Sequence, residues 1–283
     1  MDPFEFTIAV FTFLFGASIG SFLNVVILRV PEGESIVSPP SHCPTCDYKI
    51  RWYDNIPILS WILLRAKCRG CGNPISIQYP LIELLTATLA LACFFKFGFS
   101  YGLLIYFVFC AILIAVTFID IPYQIIPNEI SLPGIAIGIG VSFVPGYVRW
   151  EDSLIGAIVG FSIITLVIVG YWVLTKREGM GMGDAKLLAL IAAFLGWQCI
   201  PFLLLAGALQ GLAFALIAMG FGLMKKAPPL PDPEEWENGK PPEQEEVSLR
   251  HAAIPFGPFL SLAALEFLFF GNHVIDLMYS LRI

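Results

Sequence analysis

The stretch REGMGMGDAKLL, residues 177–188, lies between two long apolar runs. Three glycines alternate with two methionines, and Asp184 and Lys186 then stand at the entrance to the next run. Two folds compete for such a stretch. A glycine loop of a nucleotide or S-adenosylmethionine domain needs a strand before it, a helix after it and an acidic residue roughly twenty positions on. Here a segment of membrane length precedes it, and no acidic residue lies at that distance. The stretch therefore reads as the mouth of a membrane helix, with a carboxylate placed behind residues that scarcely have side chains.

Composition agrees. The 283 residues are 57% hydrophobic and 13% charged, with a mean hydropathy of +0.80, whereas soluble domains average about 25% charged residues. The net charge of −6 offers no basic surplus for nucleic acid. The start, MDPFEFTIAV, is acidic and lacks the basic region of a secretory signal, so it reads as a retained transmembrane helix. A bilayer core needs roughly 20 apolar residues per helix. Candidate spans are 4–28, 80–97, 102–121, 130–147, 153–174, 185–197, 200–224 and 254–270. The sixth is short. It is either tilted inward behind a polar entrance or joined to the seventh as a re-entrant pair. The predicted fold is an all-α polytopic membrane protein of about eight transmembrane helices with a small cytoplasmic zinc-binding insertion.

Lys and Arg set the orientation. With the N-terminus outside, Arg29, Lys49, Arg51, Arg65, Lys67 and Arg69 fall in the first inside loop. Lys176, Arg177 and Lys186 border a second, and Lys225, Lys226, Lys240 and Arg250 a third. Only Lys96, Arg149 and Arg282 fall outside. The chain divides into a first helix (1–28), a cytoplasmic insertion (29–79) and a membrane core (80–283). The segment at 225–250 is rich in Pro and Glu and reads as a flexible acidic loop.

The insertion holds CPTC, with Cys43 and Cys46, and CRGCG, with Cys68 and Cys71. Two such pairs about twenty residues apart match a four-thiolate zinc site. A reducing compartment disfavours disulfides, and four protein ligands make the metal structural. Gly72 suits the left-handed position such a turn needs. His42 adjoins Cys43 as a substitute ligand, though four cysteines suffice. Cys93, Cys110 and Cys199 read as packing residues. In the first span Gly16 and Gly20 are spaced for close helix approach. Asn24 and Glu83 are polar groups at membrane depth, either functional or satisfied helix contacts.

Asp120 ends the third span, ahead of Pro122 and Pro127, and Asp184 opens the sixth. Two crossings separate them, so both lie at one face. Two carboxylates at one depth suit an acid/base pair in which one keeps a proton and the other activates water. They equally suit two unrelated helix-end carboxylates, Asp184 simply favoured by a helix N-terminus. Gly181 and Gly183 are expected to permit an irregular backbone beside Asp184 and room for a substrate strand.

At this point the chain resembles the type IV prepilin peptidases, or leader peptidases/N-methyltransferases. GASIGSFLNVVILRVP resembles the family's opening helix, and the CPTC and CRGC pairs its cytoplasmic domain. DIPYQIIPN resembles the first aspartate motif, and GMGMGDAKLLALIAAFLGW contains GxGD as Gly181, Met182, Gly183 and Asp184. IPFGPFLSLAAL resembles the final helix. The resemblance implies an aspartic peptidase of the bacterial inner membrane with Asp120 and Asp184 as its catalytic pair. Its substrates would be prepilins and pseudopilins, cut at the cytoplasmic face. It further implies N-methylation of the new N-terminus, commonly Phe, from S-adenosylmethionine. Asn128 stands where an acidic residue is expected in many relatives, outside the pair. A basic leader would be drawn to carboxylates such as Glu83, Glu178 and the acidic loop. Rival readings are a peptidase of the same fold that does not methylate, and a zinc-bearing membrane scaffold or transporter.

Overall fold

The computed structural model describes residues 2–176, 181–221 and 254–280, with side chains as far as Gly271. Nine α-helices account for most of it: α1 (Pro3–Arg29), α2 (Leu59–Leu63), α3 (Gln78–Phe97), α4 (Tyr101–Tyr123), α5 (Asn128–Val141), α6 (Trp150–Thr175), α7 (Met182–Leu195), α8 (Ile200–Gly220) and α9 (Gly257–Ser280). Among the described residues there is no β-sheet, only two isolated bridges in the insertion.

All eight candidate spans return as helices. Among the described residues, five are by themselves long and apolar enough to cross: α1, α3, α4, α6 and α8, the last with its 3-10 lead-in. α5 and α7 have 14 residues each, about 21 Å at 1.5 Å per residue against a core of about 30 Å. α9 runs for 24 residues, and its stretch Gly257–Gly271 is apolar. Hydropathy marks where a helix is buried, and protein buries as well as lipid does. α7 illustrates this. Every residue from Leu187 to Phe194 is buried in protein, so the sixth span is an inner helix enclosed by its neighbours. It ends at Gly196, and a single 3-10 turn leads into α8.

Close contacts fix helix directions. Ser153 of α6 donates to the Ala193 carbonyl of α7 at 2.6 Å, and Gly160 faces Leu188, so α6 and α7 are antiparallel. Gly134 and Gly138 of α5 meet Leu190 and Ala193, so α5 and α7 run parallel. The chain leaves α4 at one end, travels up α5, returns down α6 and enters α7 at the end where α4 finished.

α1 lies against α3. A Cβ on Gly16 would fall 2.7 Å from the Ala90 Cβ, and one on Gly20 would fall 2.6 Å from the Glu83 Cα. The close approach expected of that spacing is therefore present. Tyr123 at the end of α4 donates to Glu32 Oε1 just beyond α1 at 3.4 Å. The insertion consequently crowns the end of the bundle where α1 stops, α3 starts and α4 stops.

Candidate functional site

Asp120 occupies the last turn of α4 and is buried. Gln124 caps the helix through its N–H to the Asp120 carbonyl at 2.9 Å. The carboxylate meets the start of α9, where the Gly257 N–H donates to Oδ2 at 3.1 Å. Gly257 opens its helix, so this N–H has no partner within the helix and is free for an anion. A Cβ there would fall 2.5 Å from Oδ2. Sequence reading placed FGPF in the final helix without assigning Gly257 a part. The signal available was Gly-Pro at the head of an apolar run, which marks a helix start.

Asp184 lies in the first turn of α7 and is half-buried. Its neighbour Gly183 lies against Ile126, in the short chain that leaves α4 after Asp120, so α4 and α7 place the two carboxylates at the same end of the bundle. Lys186 donates to Asn128 Oδ1 at 2.6 Å, tying the start of α7 to the start of α5.

The expected irregular backbone needs correction. From Met182 onward the chain is already helical, and residues 177–180 lie outside the described residues. Gly181 is the N-cap at φ −80° and ψ 147°, extended backbone open to any residue. The demand falls on Gly183, whose Cβ would fall 3.1 Å from the Ile126 Cβ. Its small size lets α7 begin close against the chain that leaves Asp120.

In the insertion, the two cysteine pairs sit on matching tight turns. Cys43 N–H donates to Tyr48 O and Asp47 N–H to Cys43 O. Cys68 N–H likewise donates to Asn73 O, and Gly72 N–H to Cys68 O. Gly72 takes φ +75°, the left-handed position expected of it. Cys43 and Cys71 sulfurs are 3.9 Å apart, as are those of Cys46 and Cys68, and all four lie within 4.8 Å of one another. Zn–S bonds of about 2.3 Å in a tetrahedron separate sulfurs by about 3.8 Å, so the four thiols could hold zinc. His42 turns instead toward the Pro40 carbonyl at 3.2 Å and is not part of the cluster.

Arg69, inside the second knuckle, forms a fork with Asp54 at 2.6–3.0 Å. That guanidinium holds the Asp54 carboxyl below its ordinary range. Glu83 and Asn24, left open between function and packing, both make defined contacts. Glu83 Oε2 accepts from the Ile58 N–H at 2.6 Å, at a residue with φ +63° that a β-branched side chain rarely adopts. Asn24 donates to the carbonyls of Gly20 and Tyr79, each at 3.2 Å. These stitches seat the insertion on the bundle.

Between insertion and bundle lies a cavity of about 590 Å³. Its walls include Asn24, Val25 and Arg29 of α1, Glu83 of α3 and Tyr123 of α4, with Cys43, Asp54 and Cys68 from the insertion. The two aspartates are not among its lining residues.

Residues 14–97 match the model of the bacterial peptidase A24 N-terminal domain, and residues 107–216 that of the type IV leader peptidase family. A prepilin leader peptidase/N-methyltransferase of Myxococcus xanthus (strain DK1622) is 38% identical, over 93% of this chain and 90% of that protein. Proteins of the same name from Aeromonas hydrophila and Dichelobacter nodosus are 37% and 36% identical, over 93% and 92% of this chain and 90% and 91% of theirs. No solved structure gives a significant match. On the family model and on identity across nine-tenths of its length, the chain belongs to the type IV leader peptidase family.

Proposed function

We propose that this protein cleaves the leader of type IV prepilins and pseudopilins with Asp120 and Asp184, and then N-methylates the new terminus. The observation that carries the reading is that the two carboxylates stand at one end of the bundle, one at the end of α4 and one at the start of α7, where Gly183 packs on Ile126. One carboxylate takes a proton from water as the oxygen attacks the scissile carbonyl carbon. The other, protonated, donates a hydrogen bond to the carbonyl oxygen. Collapse breaks the C–N bond, and a proton passes to the leaving amine. Titration belongs to the pair rather than to either residue.

The aspartates share their end of the bundle with Arg29 and the basic insertion, and the opposite end carries Lys96 and Arg149. The positive-inside bias supports a cytoplasmic site. A prepilin with a cytoplasmic basic leader and a membrane helix would present its scissile bond there. The first helix, the insertion and the membrane core act as three parts, with the insertion seated over the site end.

Zinc would be held by Cys43, Cys46, Cys68 and Cys71, all four positions filled by protein, so its part is structural. S-adenosylmethionine, when bound, supplies a methyl group to the amine nitrogen that cleavage exposes. The names of the relatives support that second activity, which tells against a peptidase that does not methylate.

Co-expression with a prepilin tests the proposal. Wild type yields the shortened, methylated product by mass spectrometry, and Asp120→Ala and Asp184→Ala leave the precursor intact. Processing by both variants would overturn the aspartate assignment. A cleaved but unmethylated product would remove the second activity alone.

A further inference from the structure

We propose that the cavity between the insertion and the ends of α1, α3 and α4 binds the methyl donor, a sulfonium cation carried on an adenosyl group. The inference rests on the methyltransferase reading and gives it a place. At about 590 Å³ the cavity lies within the roughly 300–1,000 Å³ of small-molecule sites. Its shape is set in advance by Glu83 holding Ile58 and by Asn24 holding Tyr79.

Charge points to a cation. Of the charged side chains on the walls, Glu32, Glu34, Asp54 and Glu83 are acidic, while Arg29 and Arg69 are basic. Arg69 is committed to Asp54, so Arg29 stands against Glu32 and Glu34 even with Glu83 left aside.

Position points to this reaction. Tyr123 lines the cavity, and Asp120 lies three residues before it on α4. Residues so spaced are neighbours on a helix surface, about 5–6 Å apart. An amine released at Asp120 therefore emerges one turn from the cavity wall. There its lone pair forms the N–CH₃ bond while the S–CH₃ bond breaks. The bonding pair returns to sulfur, the donor leaves as a neutral thioether, and the nitrogen gives one proton to solvent. Loss of the sulfonium charge weakens the hold of the acidic wall, which favours product release.

Calorimetric titration of the full chain in detergent with S-adenosylmethionine, and separately with S-adenosylhomocysteine, tests this without turnover. The donor is expected at one site per chain, bound more tightly than the thioether. Val25→Trp fills the cavity and weakens the donor by about tenfold or more. Glu32→Gln and Glu34→Gln each weaken the donor by about threefold and leave the thioether unchanged. Zinc content and melting temperature equal to wild type establish that each variant folds.

Donor binding indifferent to Val25→Trp overturns the site, as does equal loss of donor and thioether in the glutamine variants. Val25→Trp that spares the donor but raises KM for cleavage gives the cavity to the substrate's basic leader and overturns it too. Wild type that cleaves prepilin yet binds no donor removes the methyltransferase reading, and this inference with it.

Discussion

The Gly257 N–H donates to Asp120 Oδ2 at 3.1 Å, joining the start of the last helix to the end of α4 across 137 residues of sequence. The bond fixes one oxygen of the carboxylate, and on the proposed function the other is left for the reaction. A methyl group at position 257 would fall 2.5 Å from that oxygen and must displace it. Gly257→Ala is expected to lower kcat for prepilin cleavage by about 10–100-fold with KM little changed. An equal fall in melting temperature and in expression would instead mark Gly257 as a packing residue.

The two aspartates should behave as one unit. Asp120→Asn and Asp184→Asn are each expected to reduce cleavage by about a thousandfold or more, and the double variant by no more than either single one. Independent, multiplying losses in single-turnover assays would separate them.

Metal removal should act on the insertion. Cys46→Ser or a strong chelator is expected to abolish the single bound zinc, measured by elemental analysis. It should also open residues 30–77 to proteolysis while the membrane helices stay intact. The matching turns around Cys43 and Cys68 hold few apolar contacts of their own, so the metal supplies most of their cohesion.

The Asp54–Arg69 fork gives a pH dependence with a defined sign. Because its pKa is lowered in the fold by Arg69, Asp54 contributes stability that is fully present above the ordinary carboxylate value of about 3.9. That contribution is lost as pH falls through the lower folded value. Asp54→Asn should cost about 1–2 kcal/mol near neutrality, allowing for Arg69 being half exposed. The melting-temperature gap between variant and wild type should stay constant from about pH 7 to 5 and narrow only in stronger acid.

Helix contact at Gly20 should be unforgiving. A Cβ there would fall 2.6 Å from the α3 backbone at Glu83, so Gly20→Ala must spread α1 from α3. A loss of about 1–3 kcal/mol is expected, read as a lower melting temperature in detergent. Loosening the same contact disturbs Glu83 and the seat of the insertion, so donor binding should weaken as well.

The sequence by itself determined where the helices lie, because a chain in lipid must satisfy its backbone within each segment and so writes each helix as one apolar run. It likewise determined the four thiols, since two short turns can be read from local spacing. Counting crossings also placed Asp120 and Asp184 at one end, and the directions of α5, α6 and α7 agree. Only the tertiary structure decided which apolar runs are sheathed by protein, as α7 shows. It confined the demand for small size to Gly183, and it brought Gly257 to Asp120, Glu83 to Ile58 and Tyr123 to the cavity wall. Each of those depends on how two helices, or a helix and a distant loop, lie against one another. Hydrophobic periodicity says that a face is buried but leaves open what buries it.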